Sequence, residues 1–292
     1  MIFLTFLLIG MLGGTTGSLI KYADLGTSPF LLVSIRLGIS VILLLPFVIR
    51  SKIKIPKKLL PHTVISSMLL AVNILLFTTG VRYTSALMSQ LIYVPTAVVV
   101  ALLGYFFLKE KLKMNQVFGL IVTFIGISLL IQGSIKTGDL KSFGQPFGNF
   151  LILTAMFIWS SYVVLTRKII KDISILSLTF TNILIAFLIS APFVIFEINQ
   201  KTIHFPTNYS QQLALLGSAV SSTFFIFLSQ NFIKKTSAFI ASLVTYVNPI
   251  AAGIWGAFLF GEKPTLGLIV GSVIVFSGVF ISTSYNYVRN RD

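Results

Sequence analysis

Ten long apolar runs divide this sequence, and each is bounded by charged or turn-forming residues. At a rise of 1.5 Å per residue, each run is long enough to cross the ~30 Å hydrocarbon core of a bilayer as a helix. The residue alternation of a transmembrane β-barrel is absent from them. The sequence therefore predicts an all-α membrane protein with ten transmembrane helices, at about residues 2–20, 28–49, 62–81, 84–108, 114–133, 147–166, 174–196, 211–233, 236–260 and 265–286.

The composition excludes a soluble globular protein. The mean hydropathy is +0.96 and only 10% of the residues are charged, whereas soluble domains carry about 25% charged residues. The chain has 22 Lys and Arg residues against 7 Asp and Glu residues, a formal net charge of +15. Such an excess would indicate a nucleic-acid partner in a soluble protein, but in a membrane protein it first raises the question of which side carries it.

Lysine and arginine are distributed unequally between the two sides of the predicted membrane. Fifteen lie on one side, six on the other, and Arg36 lies within the second span, which accounts for all 22. By the positive-inside rule, the richer side faces the cytoplasm. We therefore expect a multi-pass protein of the cytoplasmic (inner) membrane with both termini in the cytoplasm. Its basic loops are expected to contact the lipid bilayer and not nucleic acid.

The sequence offers little to hold a metal or to perform catalysis. It contains no cysteine, and its two histidines, His62 and His204, are far apart. A thiolate metal site is excluded and a histidine-based one is disfavoured. No Walker sequence supports ATP-driven transport, and no carboxylate pair or nucleophile constellation lies at membrane depth. We expect no metal, no cofactor, no catalytic residues and no enzymatic activity.

The two halves of the sequence match each other in order. At an offset of 146 residues several identical pairs occur, and Lys21 aligns with Arg167; at an offset of 152 further pairs follow. The strongest matches are Ser28 with Ser174, Pro46 with Pro192, Thr84-Ser85-Ala86 with Thr236-Ser237-Ala238, and Glu110-Lys111 with Glu262-Lys263. The predicted units, residues 1–140 and 141–292, each hold five spans, and an odd number inverts the second copy. Inverted repeats are a usual basis for alternating access to a site near the bilayer midplane.

Three stretches of the sequence carry a family resemblance. They are SPFLLVSIRLGISVILLLPF in the second span, RYTSALMSQLIYVPTAVVVALLGYFFLKEKL across the fourth and KTSAFIASLVTYVNPIAAGIWGAFLFGEKPTLGLIVG across the ninth. Each half resembles the five-helix EamA module of the drug/metabolite transporter superfamily. The resemblance implies ten helices, cytoplasmic termini and export or uptake of small solutes. It also implies that the third, fourth, eighth and ninth spans border the solute cavity.

Polar and aromatic residues within the spans are the candidate solute-binding residues. An amide that faces lipid finds no water to bond, so Asn and Gln are expected to turn inward. Hydrogen bonding between helices is an equally good role for each of them. We predict a mainly uncharged cavity in which aromatic rings contact apolar parts of the solute and amides contact its polar atoms. The candidates are Asn73, Gln90, Tyr93, Trp159, Tyr246 and Asn248.

Arg36 adds a charge to this set, about eight residues or ~12 Å inside the second span. A charge at that depth is costly unless it is paired or solvated. One reading is that Arg36 attracts an anionic or zwitterionic solute; the other is that it snorkels outward or caps carbonyl groups of neighbouring helices. Aromatic faces could instead receive a cationic solute. The sequence leaves the charge of the solute open.

Two prolines interrupt the fourth and ninth spans. Pro95 and Pro249 each remove a backbone donor within a span and loosen a turn. Either proline is a hinge next to the solute or a static kink. The glycines of the segment GMLGGTTG in the first span are predicted to permit close helix packing.

The combined hypothesis is a secondary transporter that moves a small metabolite, an amino acid or a similar polar or amphipathic solute, by alternating access. Export is favoured over uptake. The alternative is a flippase or scramblase of a lipid-linked carrier, which would need an apolar opening between helices toward the lipid. The expected partners are the solute and the bilayer, and the sequence is compatible with a monomer.

Overall fold

The computed structural model describes residues 2–51, 55–136, 144–261, 270–271 and 273–281, and all regular secondary structure in this part of the chain is helical. The α-helices are α1 (Ile2–Asp24), α2 (Pro29–Ser51), α3 (Leu60–Arg82), α4 (Ala86–Ile92), α5 (Thr96–Leu103), α6 (Met114–Lys136), α7 (Pro146–Ile169), α8 (Ile175–Asn199), α9 (Tyr209–Lys235), α10 (Ala238–Ser242) and α11 (Asn248–Phe260). Residues 270–271 and 273–281 are also helical. Single turns of tighter or wider helix lie at Lys57–Leu59, Gly104–Leu108 and Leu243–Tyr246.

Eight helical stretches of the described chain are long and apolar enough to cross a membrane. They are Phe3–Asp24, Pro29–Ser51, Lys57–Arg82, Met88–Leu108, Pro146–Ile169, Ile175–Asn199, Tyr209–Lys235 and Ala238–Phe260. A shorter apolar helix, Met114–Gly126, occupies the predicted fifth span. Half of the predicted tenth span is described, as the helical residues 270–271 and 273–281. Glu262 and Lys263 lie outside the described residues. The protein is therefore an all-helical, multi-pass membrane protein.

The outward surface of the helices is strongly apolar. Large side chains such as Phe106, Phe118 and Phe258 are 72%, 58% and 79% exposed. Exposed apolar area on this scale is unusual for a soluble monomer. It fits helices that face lipid.

The predicted fourth and ninth spans are discontinuous helices. Between α4 and α5 the helix is interrupted, and Pro95 directly precedes α5. Between α10 and α11 the chain makes one tight helical turn, and Pro249 is the second residue of α11. Proline has no backbone N–H to donate, so it is best tolerated where a helix begins. The prolines thus mark breaks in both spans rather than kinks within a continuous helix.

Serine caps explain one part of the sequence repeat. Ser85 Oγ accepts a hydrogen bond from Met88 N at 3.0 Å at the start of α4. Ser237 Oγ accepts one from Ile240 N at 3.2 Å at the start of α10. A serine that precedes a helix satisfies one of its free N–H groups. The repeated Thr-Ser-Ala segments are therefore the first residues of equivalent half-helices.

The helices pack in a small number of extensive pairs. The largest contacts are α3 with α7, α1 with α9 and α2 with α8, while α4 packs on α11 and α5 on α10. On α1, a Cβ atom added at Gly10 would collide with Val247, and one added at Gly14 would collide with the backbone of Asn248. The prediction that the glycines of the first span permit close packing is confirmed. The close approach brings the break between α10 and α11 against α1.

Candidate functional site

A cavity lies among α1, α2, α3, α7 and α9, beside the breaks in both discontinuous helices. Its volume is about 90 Å³, several times the ~10–15 Å³ that one water molecule needs. Its polar wall consists of Thr16, Arg36, Asn73, Thr78, Gln90, Tyr93, Ser222, Thr245 and Asn248, and its aromatic wall includes Phe77, Trp159 and Phe225. Spans that are far apart in sequence therefore contribute to one site.

Six of the seven predicted binding residues line this cavity, namely Arg36, Asn73, Gln90, Tyr93, Trp159 and Asn248. Tyr246 does not: it is 0% exposed, and its hydroxyl has no hydrogen-bond partner within the described chain. The tight turn before α11 explains this position, because residues three apart share a face when a turn holds three residues. Thr245 and Asn248 are three apart and face the cavity, so Tyr246 faces elsewhere.

Asn73 and Tyr93 are bonded to each other on one wall. Asn73 Nδ2 donates to Tyr93 Oη and to the backbone oxygen of Ala155, both at 2.7 Å. The ring of Phe77 meets the Tyr93 ring edge to face, with centroids 5.6 Å apart. These contacts hold the break between α4 and α5 against α3 and α7. Asn73 thus has the interhelical role that the sequence left open, and it also lines the cavity.

Trp159 forms a second, aromatic wall. Its ring stacks on Phe225 at a centroid distance of 5.6 Å and an interplanar angle of 24°. The Tyr162 ring lies 5.1 Å from the Trp159 ring. Sequence reasoning missed Phe225, because nothing in the sequence separates it from the other phenylalanines among the 27 present. Thr16 and Thr78 were also missed. A hydroxyl on a helix commonly bonds its own backbone, so a threonine within a span does not by itself indicate a binding site.

Arg36 is 3% exposed and lines the cavity from α2. Its one hydrogen bond runs from Nη1 to Thr78 Oγ1 at 3.4 Å, and its Nε has no partner within the described chain. It donates to no backbone carbonyl group there, so it does not cap a neighbouring helix among those residues. The guanidinium group therefore faces the cavity with most of its donors available.

A buried polar network lies directly beyond Trp159. Tyr162 Oη accepts from Gln230 Nε2 at 2.8 Å and from Asn182 Nδ2 at 3.2 Å. Thr179 donates to Gln230 at 2.7 Å, and Ser67 donates to Asn182 at 2.8 Å. This network joins α3, α7, α8 and α9.

The network and the cavity occupy matching positions of the two sequence halves. By the repeat offsets, Tyr162 aligns with Thr16, Asn182 with Arg36 and Gln230 with Thr78. The first member of each pair belongs to the bonded network, and the second lines the cavity. The second half therefore uses these positions to join Tyr162, Asn182 and Gln230 in one network. In the first half, Thr16 bonds Ser221 at 2.8 Å and Arg36 bonds Thr78 at 3.4 Å, and all three positions line the cavity.

An all-helical, multi-pass protein with a buried polar cavity between its helices is the general form of a membrane transporter. The family model described as "EamA-like transporter family" matches residues 1–132 and 146–284. The chain belongs to the EamA-like transporter family. It is a transporter and not an enzyme.

Individual relatives agree with this assignment. A protein of Clostridium kluyveri named an uncharacterized transporter is 25% identical, over 90% of this chain and 86% of the relative. The uncharacterized transporter YyaM of Bacillus subtilis is 28% identical, over 92% of this chain and 89% of the relative. The crystal structure of another protein superposes with a TM-score of 0.71 at 16% identity, covering 96% of each chain. At that identity, the superposition shows a shared fold alone.

Proposed function

We propose that this protein is a secondary transporter of the cytoplasmic membrane that exports a small polar or amphipathic metabolite, such as an amino acid, by alternating access. The observation that carries the proposal is the cavity beside the two helix breaks. Broken helices that meet beside a polar cavity near mid-membrane are a recurring form of solute site in secondary transporters. The resemblance to the EamA transporters allows export or uptake, and export is the direction that we propose. The proposed transport unit is a monomer.

The solute would be held by the residues that line this cavity. Trp159 and Tyr93 present ring faces and edges to apolar parts of the solute, and Asn73, Gln90 and Asn248 present amide groups to its polar atoms. Asn248 Oδ1 is buried and has no partner among the described atoms. A buried amide oxygen without a partner is costly unless something bonds it. A solute that donates a hydrogen bond there would remove this cost.

The proposal includes ten transmembrane helices in two inverted five-helix repeats, residues 1–140 and 141–292. The packing of the helices supports it. Suppose that α1 to α5 correspond, in order, to α7 to α11. The helix pair α1–α9 then corresponds to the pair α7–α3, and the pair α4–α11 corresponds to the pair α10–α5. The pair α2–α8 corresponds to itself. All of these pairs are in contact. The two repeats would rock against each other around the cavity, with Pro95 and Pro249 as hinges.

The proposed orientation places both termini in the cytoplasm, and the absence of cysteine from the sequence makes it testable. Lys171 and Gln200 are exposed and lie just beyond the opposite ends of α8, so a single cysteine is introduced at each position. In intact cells, a membrane-impermeant maleimide should label Gln200→Cys and spare Lys171→Cys. The reverse pattern would invert the orientation.

Transport is tested with purified protein in liposomes and a panel of labelled amino acids and related metabolites. We expect uptake of at least one solute, and loss of that uptake in Tyr93→Ala and Trp159→Ala, because both rings line the cavity. Tyr105→Ala is the matched control: Tyr105 is 56% exposed outside the cavity, and its removal should leave uptake unchanged. Failure to move any solute would contradict the proposal. Transbilayer movement of labelled lipid in place of solute would favour the flippase alternative.

A further inference from the structure

Arg36 is a cation without a matching anion. It is 3% exposed, no acidic oxygen of the described residues lies within 4 Å of it, and its contact with Thr78 at 3.4 Å is long for a hydrogen bond. A buried charge is strongly unfavourable unless it is paired and hydrogen-bonded. The free donors of the guanidinium group point to a missing partner in the cavity.

The acidic residues that the structure describes are all placed elsewhere. Asp24 pairs with Arg82, and Glu110 pairs with Arg167. Asp172 is exposed. Glu197 accepts hydrogen bonds from backbone N–H groups in the first turn of α2, at 3.0 and 3.1 Å. None of these four lines the cavity. Within the described chain, the lining of the cavity thus carries one positive charge and no negative charge.

We propose that Arg36, with Thr78 beside it, binds the carboxylate group of the transported solute. The inference rests on the proposed function, since it names the class of solute that the same cavity would carry. A guanidinium fork matches the two oxygens of a carboxylate and binds it with paired hydrogen bonds. The solute is thus an organic acid whose apolar part lies against the aromatic wall of Phe77, Trp159 and Phe225.

The charge balance of the cavity favours a carboxylate over a phosphate ester and over a cationic solute. A phosphate ester carries close to two negative charges at neutral pH, so it would leave one uncompensated charge in the cavity. A cationic solute could stack on the aromatic wall, but it would share the cavity with Arg36 and find no described carboxylate there. A single carboxylate neutralises Arg36, and a zwitterion can place its ammonium group near the unpartnered Asn248 Oδ1.

The test compares isosteric probes on the purified wild-type protein. Thermal stability is measured with acetate, isovalerate, 3-phenylpropionate and phenylalanine, with the neutral 3-phenylpropionamide, and with the cationic phenylethylamine. A ligand that binds the folded state raises its stability by mass action. We expect 3-phenylpropionate to raise the melting temperature and to bind about tenfold or more tightly than its amide, because the amide lacks the charge that strengthens the bonds to arginine.

Variants of α2 then assign the effect to one side chain. Arg36→Gln should weaken binding of 3-phenylpropionate about tenfold or more, and Arg36→Lys should recover part of the affinity, since lysine keeps the charge without the fork. Arg50→Gln, the same change at an exposed position of the same helix, should bind like the wild type. If Arg36→Gln does not fold, the wild-type probe series and Arg36→Lys still decide the question.

Three results would overturn the inference. Two of them are equal binding of 3-phenylpropionate and its amide, and a panel in which no carboxylate binds. Transport of a neutral or cationic solute that is lost in Tyr93→Ala would also overturn it while leaving the proposed transporter intact. Liposomes that move no solute at all would instead contradict the proposed function.

Discussion

At the C-terminal ends of α3 and α9, a basic side chain donates to the last backbone carbonyl groups of the helix. The basic residue is lysine at one end and arginine at the other. In the α3-end cluster (Lys21, Asp24, Val81 and Arg82), Lys21 Nζ donates to the backbone oxygens of Val81 and Arg82, both at 2.9 Å. Both oxygens belong to the last turn of α3, where carbonyl groups lack helical partners. A cation at this position satisfies them and complements the helix dipole.

The α9-end cluster (Glu110, Arg167, Ile233, Lys234 and Ala238) has more connections. Arg167 Nη1 donates to the backbone oxygens of Ile233 at 2.8 Å and Lys234 at 3.2 Å. Arg167 Nε also lies 3.3 Å from Glu110 Oε1, and the other oxygen of Glu110 accepts from Ala238 N at 3.3 Å. The cluster therefore joins α7, α9, the start of α10 and the segment before α6.

The two clusters align at the offsets of the sequence repeat. Lys21 aligns with Arg167 at 146, and Val81 and Arg82 align with Ile233 and Lys234 at 152. The repeat has kept a cation on the same two carbonyl groups but changed the cation from ammonium to guanidinium. A guanidinium fork can bond carbonyl groups and a carboxylate together. In the proposed orientation, the α9-end cluster, which has more connections, lies on the cytoplasmic side.

Arg167→Ala should give the largest effect, because it removes a charge from two carbonyl groups and from Glu110 at once. We expect the free energy of unfolding to fall by about 2–4 kcal/mol. Reversible unfolding in detergent measures it. Lys168→Ala, at the adjacent exposed position, should change it by less than about 0.5 kcal/mol. Equal losses for the two variants would show that the α9-end cluster does not hold these helices together.

Lys21→Met should give the second effect, a loss of about 1–2 kcal/mol, because the flexible stem is kept and two hydrogen bonds to carbonyl groups are lost. The same unfolding measurement applies. Lys21→Arg keeps the charge and the donors and should lose less. A loss larger than that of Arg167→Ala would reverse the order of the two clusters.

Much of this architecture could be predicted from the sequence. The apolar runs predicted the helices, and the repeat offsets paired Lys21 with Arg167 before any contact was known. Six candidate residues come together because polar side chains within spans face other helices rather than lipid. These inferences rest on the chemistry of single residues and on the period of a helix.

Other features depend on tertiary packing, and the sequence could not reveal them. Phe225 became part of the site only because α9 packs beside α7 and stacks its ring on Trp159. Tyr246 lies away from the cavity because one tight turn changes the helical period just before α11. No local sequence signal marks either effect, since each depends on which helix lies opposite.

A double-mutant cycle on Glu110 and Arg167 would sharpen the comparison by isolating the additional partner of the α9-end cluster. We expect Glu110→Gln and Arg167→Gln to be coupled by about 1 kcal/mol, because the pair is close and only partly exposed, with side chains 27% and 17% accessible. Unfolding of the two single variants and the double variant measures the coupling. Additive losses would mean that the carbonyl bonds alone account for the difference between the clusters.

Arg82→Gln should give the smallest effect. Arg82 Nε lies 3.9 Å from Asp24 Oδ2, and its side chain is 45% exposed. The Asp24 side chain is only 5% exposed, but the distance is long and Arg82 is well solvated. The pair is therefore weak, and we expect a loss of about 0.5 kcal/mol or less in the same unfolding measurement. The backbone oxygen of Arg82 still accepts from Lys21 after the substitution, which leaves the carbonyl bonds of the α3-end cluster in place. A loss as large as that of Lys21→Met would mean that the ion pair, and not the carbonyl bonds, holds the end of α3.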